Sequence, residues 1–179
     1  MTFSWFGDRA KRQFGNEFGA IAREANVLFR DSWPVVVDNP LAILECARFL
    51  QDEELTDWAV EGINAYFRYA WDESTNEIIP MWNSGQEMTG YVFPRDGYYG
   101  ERGTELKRQP VDPAYLLTLV RACTLSDNTD LRTLTAKMFE RFKLGKLDFQ
   151  TLYPLKIAQT TELSSSYLVF ALLELRTAY

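Results

Sequence analysis

The feature that most constrains this chain is a repeat. The segments DNPLAILECARFLQDEELTDWA and VDPAYLLTLVRACTLSDNTDLR share one plan. Each places an Asp close before a proline, continues with an apolar helical pattern, sets an arginine at the same spacing (Arg48, Arg121) and turns through acidic residues into a second helical pattern. Asp38 or Asn39 ahead of Pro40, and Asp112 ahead of Pro113, predict N-caps with proline at the first helical position, where its missing N–H is tolerated. The two prolines stand 73 positions apart. SSSYLVFALLEL echoes the first helix of the unit, Tyr167-Leu168 matching Tyr115-Leu116. Helical hairpins this apolar cannot bury both faces alone and must stack on neighbours.

The periodicity supplies the faces. The first Pro-led helix carries Leu41, Ile43, Leu44, Ala47, Phe49 and Leu50. Its mate runs from Glu53 to about Trp71 with Leu55, Trp58, Ala59, Ile63, Tyr66, Phe67 and Tyr69 or Ala70. The second unit repeats this with Tyr115, Leu116, Leu119, Val120 and Cys123, then Leu131, Leu134, Met138, Phe139 and Phe142. Tyr167, Leu168, Phe170, Ala171, Leu172 and Leu175 mark a last helix, and residues 16–30 (NEFGAIAREANVLFR) an early one. The expected fold is all-α: a single α/α toroid-like domain over 1–179, with Pro-led helices inside and the Trp58 and Met138 helices outside. So few inner helices make a partial ring, expected to expose an apolar lateral face and to match the C-terminal part of a larger fold.

Composition removes whole classes of chemistry. The chain has no histidine, which excludes Ser-His and Cys-His nucleophiles and the commonest transition-metal ligand. A net charge of −6 gives no footprint for nucleic acid. No apolar run reaches membrane-spanning length, and the opening MTFSWFGDRAKRQFG lacks the apolar core of a signal peptide, so a cytoplasmic or periplasmic protein is expected. Cys46 and Cys123 fall in predicted helices and are expected to be buried free thiols; a mutual disulfide has no support. The tryptophans read as core or helix-junction residues, Trp82 excepted. Glu45, Asp57 and Glu61 lie on polar helical faces.

One stretch does not read as helix. Residues 77–109 concentrate Trp82, Tyr91, Tyr98 and Tyr99 with Arg95, Arg102, Lys107 and Arg108 between the two helical units. A connection of this length inside a domain is usually functional or builds short strands of its own. A long aromatic loop or short β-hairpin is therefore expected, and any site should lie on it. Arg95-Asp96 within PRDG also suits a turn, Tyr98-Tyr99 could pack on the hairpin mouth, and Arg102, Lys107 and Arg108 could be plain surface charges.

GDRAKRQFGNEFG with EANVLFRDSWP, then TGYVFPRDGYYGERGT, then YLVFALLEL together resemble the C-terminal part of pectate lyases of polysaccharide lyase family 2. The resemblance implies an all-helical toroid with long loops over a substrate cleft. It also implies β-elimination on polygalacturonate, with an arginine base and a divalent cation, typically manganese, held by two histidines and a glutamate. No histidine is available here, so neither metal ligand nor catalytic base is carried over. Elimination beside a uronate needs its carboxylate neutralised, which guanidinium or ammonium groups can do, while aromatic faces stack on sugar rings. The substrate-binding candidates are Arg95, Tyr98, Tyr99, Arg102, Lys107 and Trp82. Polygalacturonate or oligogalacturonates are the expected ligands, and self-association or the remainder of the fold the expected protein partners. The competing readings are a non-catalytic uronate-binding module, a helical-repeat interaction module and a glycoside hydrolase.

Overall fold

Short polar side chains decide where most helices of this chain start. The computed structural model describes residues 35–80, 87–94, 96, 101–150, 157 and 165–179, with residues 35–40 described by their backbone alone. Helix α1 spans Val35–Leu50 and α2 spans Glu53–Ala70, where Asp52 accepts the Leu55 N–H at 3.0 Å. Helix α3 (Pro113–Ser126) starts on Asp112, which accepts from Ala114 at 2.8 Å with Pro113 in the first turn, as the sequence predicts. Asn128 caps α4 (Thr129–Arg141) through two N–H groups, and Ser165 caps α5 (Ser166–Ala178). Each cap satisfies donors that the first turn of a helix leaves without partners.

The two units close with the same turn. Gln51 and Asp127 both take left-handed backbone at φ 56, and each is followed by an extended capping residue, Asp52 or Asn128. Asn128 lies 76 positions after Asp52, so the turns and the prolines of the repeat are in different registers. Matched by the turns, Pro113 corresponds to Val37 and not to Pro40. Pro40 lies inside α1, whose backbone is already helical from Val35. The expected start at Pro40 is therefore wrong. Proline has a helical φ, so a helix can run through it at the expense of one backbone bond.

Helix α3 is the centre of the described helices. Every residue from Ala114 to Val120 is buried, as are Ala122 and Cys123, the mark of a helix covered all round. It packs against α1 and α5, while α2 and α4 are the hairpin mates of α1 and α3 and touch one another. The described helices thus form a row α1–α3–α5 with a second row α2–α4. An aromatic cluster joins the rows. The Tyr66 and Tyr115 hydroxyls are 2.8 Å apart, their rings stack at 5.7 Å, and Phe67 meets both edge-on at 5.3 and 5.6 Å.

The buried faces are narrower than the apolar patterns suggest. Leu41, Ile43, Leu44 and Ala47 of α1 are buried, but Phe49 is 88% exposed and Leu50 53%. Leu168, Ala171 and Leu175 turn α5 toward α3, leaving Tyr167, Val169, Phe170 and Leu173 exposed. Tyr69 is exposed and Ala70 buried, which settles that alternative. Glu45, Asp57 and Glu61 are exposed as expected. Cys123 is buried but Cys46 is exposed, against the expectation for it, and both are free. Trp58 is half-buried and Trp71 is a buried junction residue whose indole donates to Asn76 Oδ1 at 3.2 Å. Trp5, Trp33 and the predicted helix over 16–30 lie outside the described residues.

Candidate functional site

The chain leaves α2 through a small three-stranded antiparallel sheet, where the expectation had allowed a short β-hairpin between helices. Strands β1 (Trp71–Asp72), β2 (Glu77–Ile78) and β3 (Gln109–Pro110) pair in that order, Trp71 facing Ile78 and Ile78 facing Gln109. Asp72 organises the β1–β2 turn by accepting from the Ser74 and Thr75 backbone and the Ser74 hydroxyl, and Asn76 supplies the left-handed residue at φ 57. Because β2 leads into the long connection and β3 leads out, the sheet holds its two ends side by side.

Beyond this root the connection builds its own hairpin. Phe93 N–H donates to the Thr104 carbonyl and Leu106 N–H to the Tyr91 carbonyl, with Val92 bridging Glu105. Gly90, at φ 84, also donates to the Leu106 carbonyl, so two residues face one across the ladder as in a β-bulge. Met88, Phe93 and Leu106 are buried as a separate small cluster with Tyr91 against them, while Val92, Glu105 and Lys107 face outward. The tip is drawn together by Asp96, whose carboxylate accepts the Arg102 N–H at 2.8 Å. The expected turn at PRDG includes Arg95 and Gly97 and so lies outside the described residues.

The structure separates the basic residues by role. Arg102, in the turn at the tip, and Lys107, on the returning side, are exposed, and among the described residues neither side chain has an ion-pair partner. Arg108 donates from each of its three nitrogens. Its Nε and Nη2 donate to the two Glu87 oxygens at 3.0 and 3.2 Å, and its Nη1 donates to Asp72 Oδ2 at 2.8 Å. Glu87 is held below the usual carboxylate range by the Arg108 hydrogen bonds and then by the Thr89 hydroxyl. Asp72 is lowered first by the Ser74 hydroxyl and more weakly by Arg108. Arg108 is itself raised, chiefly by Glu87. Arg95, Tyr98, Tyr99 and Trp82 lie outside the described residues. Of the six predicted site residues, the structure therefore describes Arg102, at the hairpin tip, and Lys107, on its returning side.

Sequence reasoning missed Glu87 and Asp72. The Asp-x-Ser spacing at Asp72 is a legible turn signal, but nothing in the sequence pairs it with Arg108, 36 positions on. On the donor chemistry of a metal site, the described residues contain no group of three or more His, Cys, Asp or Glu that could hold an ion. No described helix is long and apolar enough to cross a membrane.

Comparison with known proteins agrees with the residues that carry the resemblance. A family described as periplasmic pectate lyase matches residues 1–179. A pectate disaccharide-lyase of Dickeya dadantii (strain 3937) is 53% identical over 164 residues, covering 92% of this chain. The chain spans 30% of the length of that relative.

Proposed function

Because this chain belongs to the periplasmic pectate lyase family, we propose that it serves in the β-eliminative breakdown of polygalacturonate, with the hairpin over residues 87–108 as the part that meets the polymer. The observation that carries this reading is the division among the hairpin's cations. Arg102 and Lys107 are exposed and without ionic partners among the described residues, on a hairpin rooted in the helical layer. A polyuronate offers a carboxylate on every ring, and a cation already held to the protein's own carboxylates would be a poor partner for it.

In β-elimination a base removes the C5 proton, the C4–C5 double bond forms and the C4–O bond to the leaving sugar breaks. Neutralising the carboxylate on C5 makes that proton more acidic. Arg102 and Lys107 suit this neutralising role, with Arg95 as a further cation and Trp82, Tyr98 and Tyr99 as stacking surfaces for sugar rings. No described residue is assigned as base. Manganese, which the family resemblance implies, finds no donor set among the described residues and none among histidines, so no step is routed through it.

The helical rows suit a stretch of an α/α toroid, a single domain over 1–179 standing for the C-terminal part of a larger lyase fold. The exposed α5 residues Phe170 and Leu173 would then be where the rest of the fold, or a second copy, packs. The family's description favours the periplasm as the compartment. The absence of histidine, together with the 30% coverage of the relative, favours a second reading: a uronate-binding portion that performs no elimination alone.

Ultraviolet absorbance of the unsaturated product, followed with polygalacturonate and manganese across alkaline pH, tests the chain's own activity. Calorimetry with trigalacturonate tests binding. Turnover supports the lyase reading. Binding without turnover, weakened by Arg102→Ala and Lys107→Ala, supports the binding portion. No binding and no turnover would remove both.

A further inference from the structure

The Arg108 cluster joins three pieces of chain that are far apart in sequence. Glu87 stands where the hairpin begins, Arg108 where it ends, and Asp72 in the strand that directly follows α2. The neighbour of Asp72 extends the connection. Glu73 receives Lys137 Nζ at 2.8 Å and lies 3.9 Å from Arg141, both on α4. The β1–β2 turn therefore has one acidic side chain, Asp72, held by the hairpin and the next, Glu73, held by α4.

We propose that Arg108 is a positioning residue: its guanidinium fastens the base of the hairpin to the end of α2 and thereby sets where Arg102 and Lys107 stand. Three features support this and argue against a direct role for Arg108 in holding substrate. All three guanidinium nitrogens donate to carboxylates, two to Glu87 and one to Asp72. The trio carries one positive charge against two negative ones, so it has no surplus with which to attract a uronate. Moreover, the hairpin's own apolar cluster is only Met88, Phe93 and Leu106 with Tyr91, which leaves polar ties at the root to fix its direction. Planar, bidentate geometry is what arginine provides and lysine does not, so the clamp orients as well as attracts.

The inference rests on the hairpin reading above for its consequence, not for its geometry, and the test separates the two. Amide exchange at Gly90, Phe93 and Leu106, whose N–H groups form the ladder and its bulge, reports the hairpin without any ligand. Arg108→Gln should raise exchange there by about tenfold, the order expected for losing charged hydrogen bonds, while amides of α3 stay unchanged. Arg108→Lys should restore only part of the protection. Arg121→Gln, which breaks the 3.1 Å pair between α3 and α5, should leave the hairpin as it was. In parallel, trigalacturonate affinity should fall about as far as protection does, since a loosened root misplaces Arg102 and Lys107. Unchanged hairpin exchange in Arg108→Gln would overturn the clamp. Faster exchange with undiminished affinity would overturn its positioning role. Should the unaltered protein not bind trigalacturonate at all, the uronate reading fails, while faster exchange in Arg108→Gln still upholds the clamp.

Discussion

Helix α3 and the hairpin that precedes it are held by different physics. Around α3, each unit contributes apolar area. Leu116, Leu119, Val120 and Tyr115 are fully buried against helices on several sides, and polar groups such as Thr118 and Thr135 are satisfied by carbonyls one turn back. The hairpin buries three side chains and relies on a ladder of a few bonds, an Asp-closed tip and a guanidinium shared by two carboxylates. Apolar burial is strong and non-directional, whereas ion pairs at half-exposed sites contribute little energy but define geometry. In this chain the stable region and the candidate site are therefore separable, and changes in one should be visible without large changes in the other.

The comparison can be broken most directly by matched truncations. Leu116→Ala removes a fully buried side chain from α3 and should cost about 2–5 kcal/mol of global stability by denaturant unfolding. Leu106→Ala removes a side chain of the same type from the hairpin cluster. It should cost about 2 kcal/mol or less, felt as faster exchange at Phe93 and Gly90 and not as a shift of the main transition. Equal losses from the two variants would show that the hairpin belongs to the same cooperative unit as the helices.

A smaller effect sharpens the helical side. Asp112→Ala deletes the acceptor for the Ala114 N–H and should lower global stability by about 1 kcal/mol, even though Pro113 remains. The hairpin side is sharpened by acid. Glu87 and Asp72 are both depressed in the folded protein, so their contribution is complete above the unfolded carboxylate range. It is lost as pH falls through the lower folded values. The charged group facing both is Arg108, which stays protonated throughout. Hairpin protection should therefore decline on acidification while helical circular dichroism still holds, and simultaneous loss would contradict the separation.

The smallest perturbation is chemical labelling. Cys46 is exposed and should react readily with a thiol reagent at mild alkaline pH. Cys123 contacts Thr135 Oγ1 at 3.1 Å, and burial pushes its thiol up to about 11, so it should react only on unfolding. Mass spectrometry of the singly labelled protein checks the assignment.

How much of this was legible in advance varies with the distance over which each feature is encoded. The cap Asp112, the acidic turns between helices and the buried face of α2 follow from neighbours within a helical turn, and all are present. The repeat is visible in the sequence, but the prolines give the wrong register for it, because the turn with its left-handed Gln51 or Asp127 sets the equivalence. That the long aromatic connection is a hairpin was one of two expectations, and the bulge at Gly90 and the cluster of Met88, Phe93 and Leu106 show how it is built.

The order of residues alone determined a mostly helical chain of repeated hairpins with a single long excursion rich in aromatic and basic side chains, and it pointed to the family. Those properties depend on local propensity, capping and amphipathic period, which any reader of the sequence can apply. Only the tertiary structure decided which cations are already held and which face solvent, and which apolar residues of α1 and α5 are left uncovered. Arg108, Asp72 and Glu87 look like ordinary surface charges one at a time. Their meaning comes from distances of about 3 Å set by a sheet that brings residues 36 positions apart together.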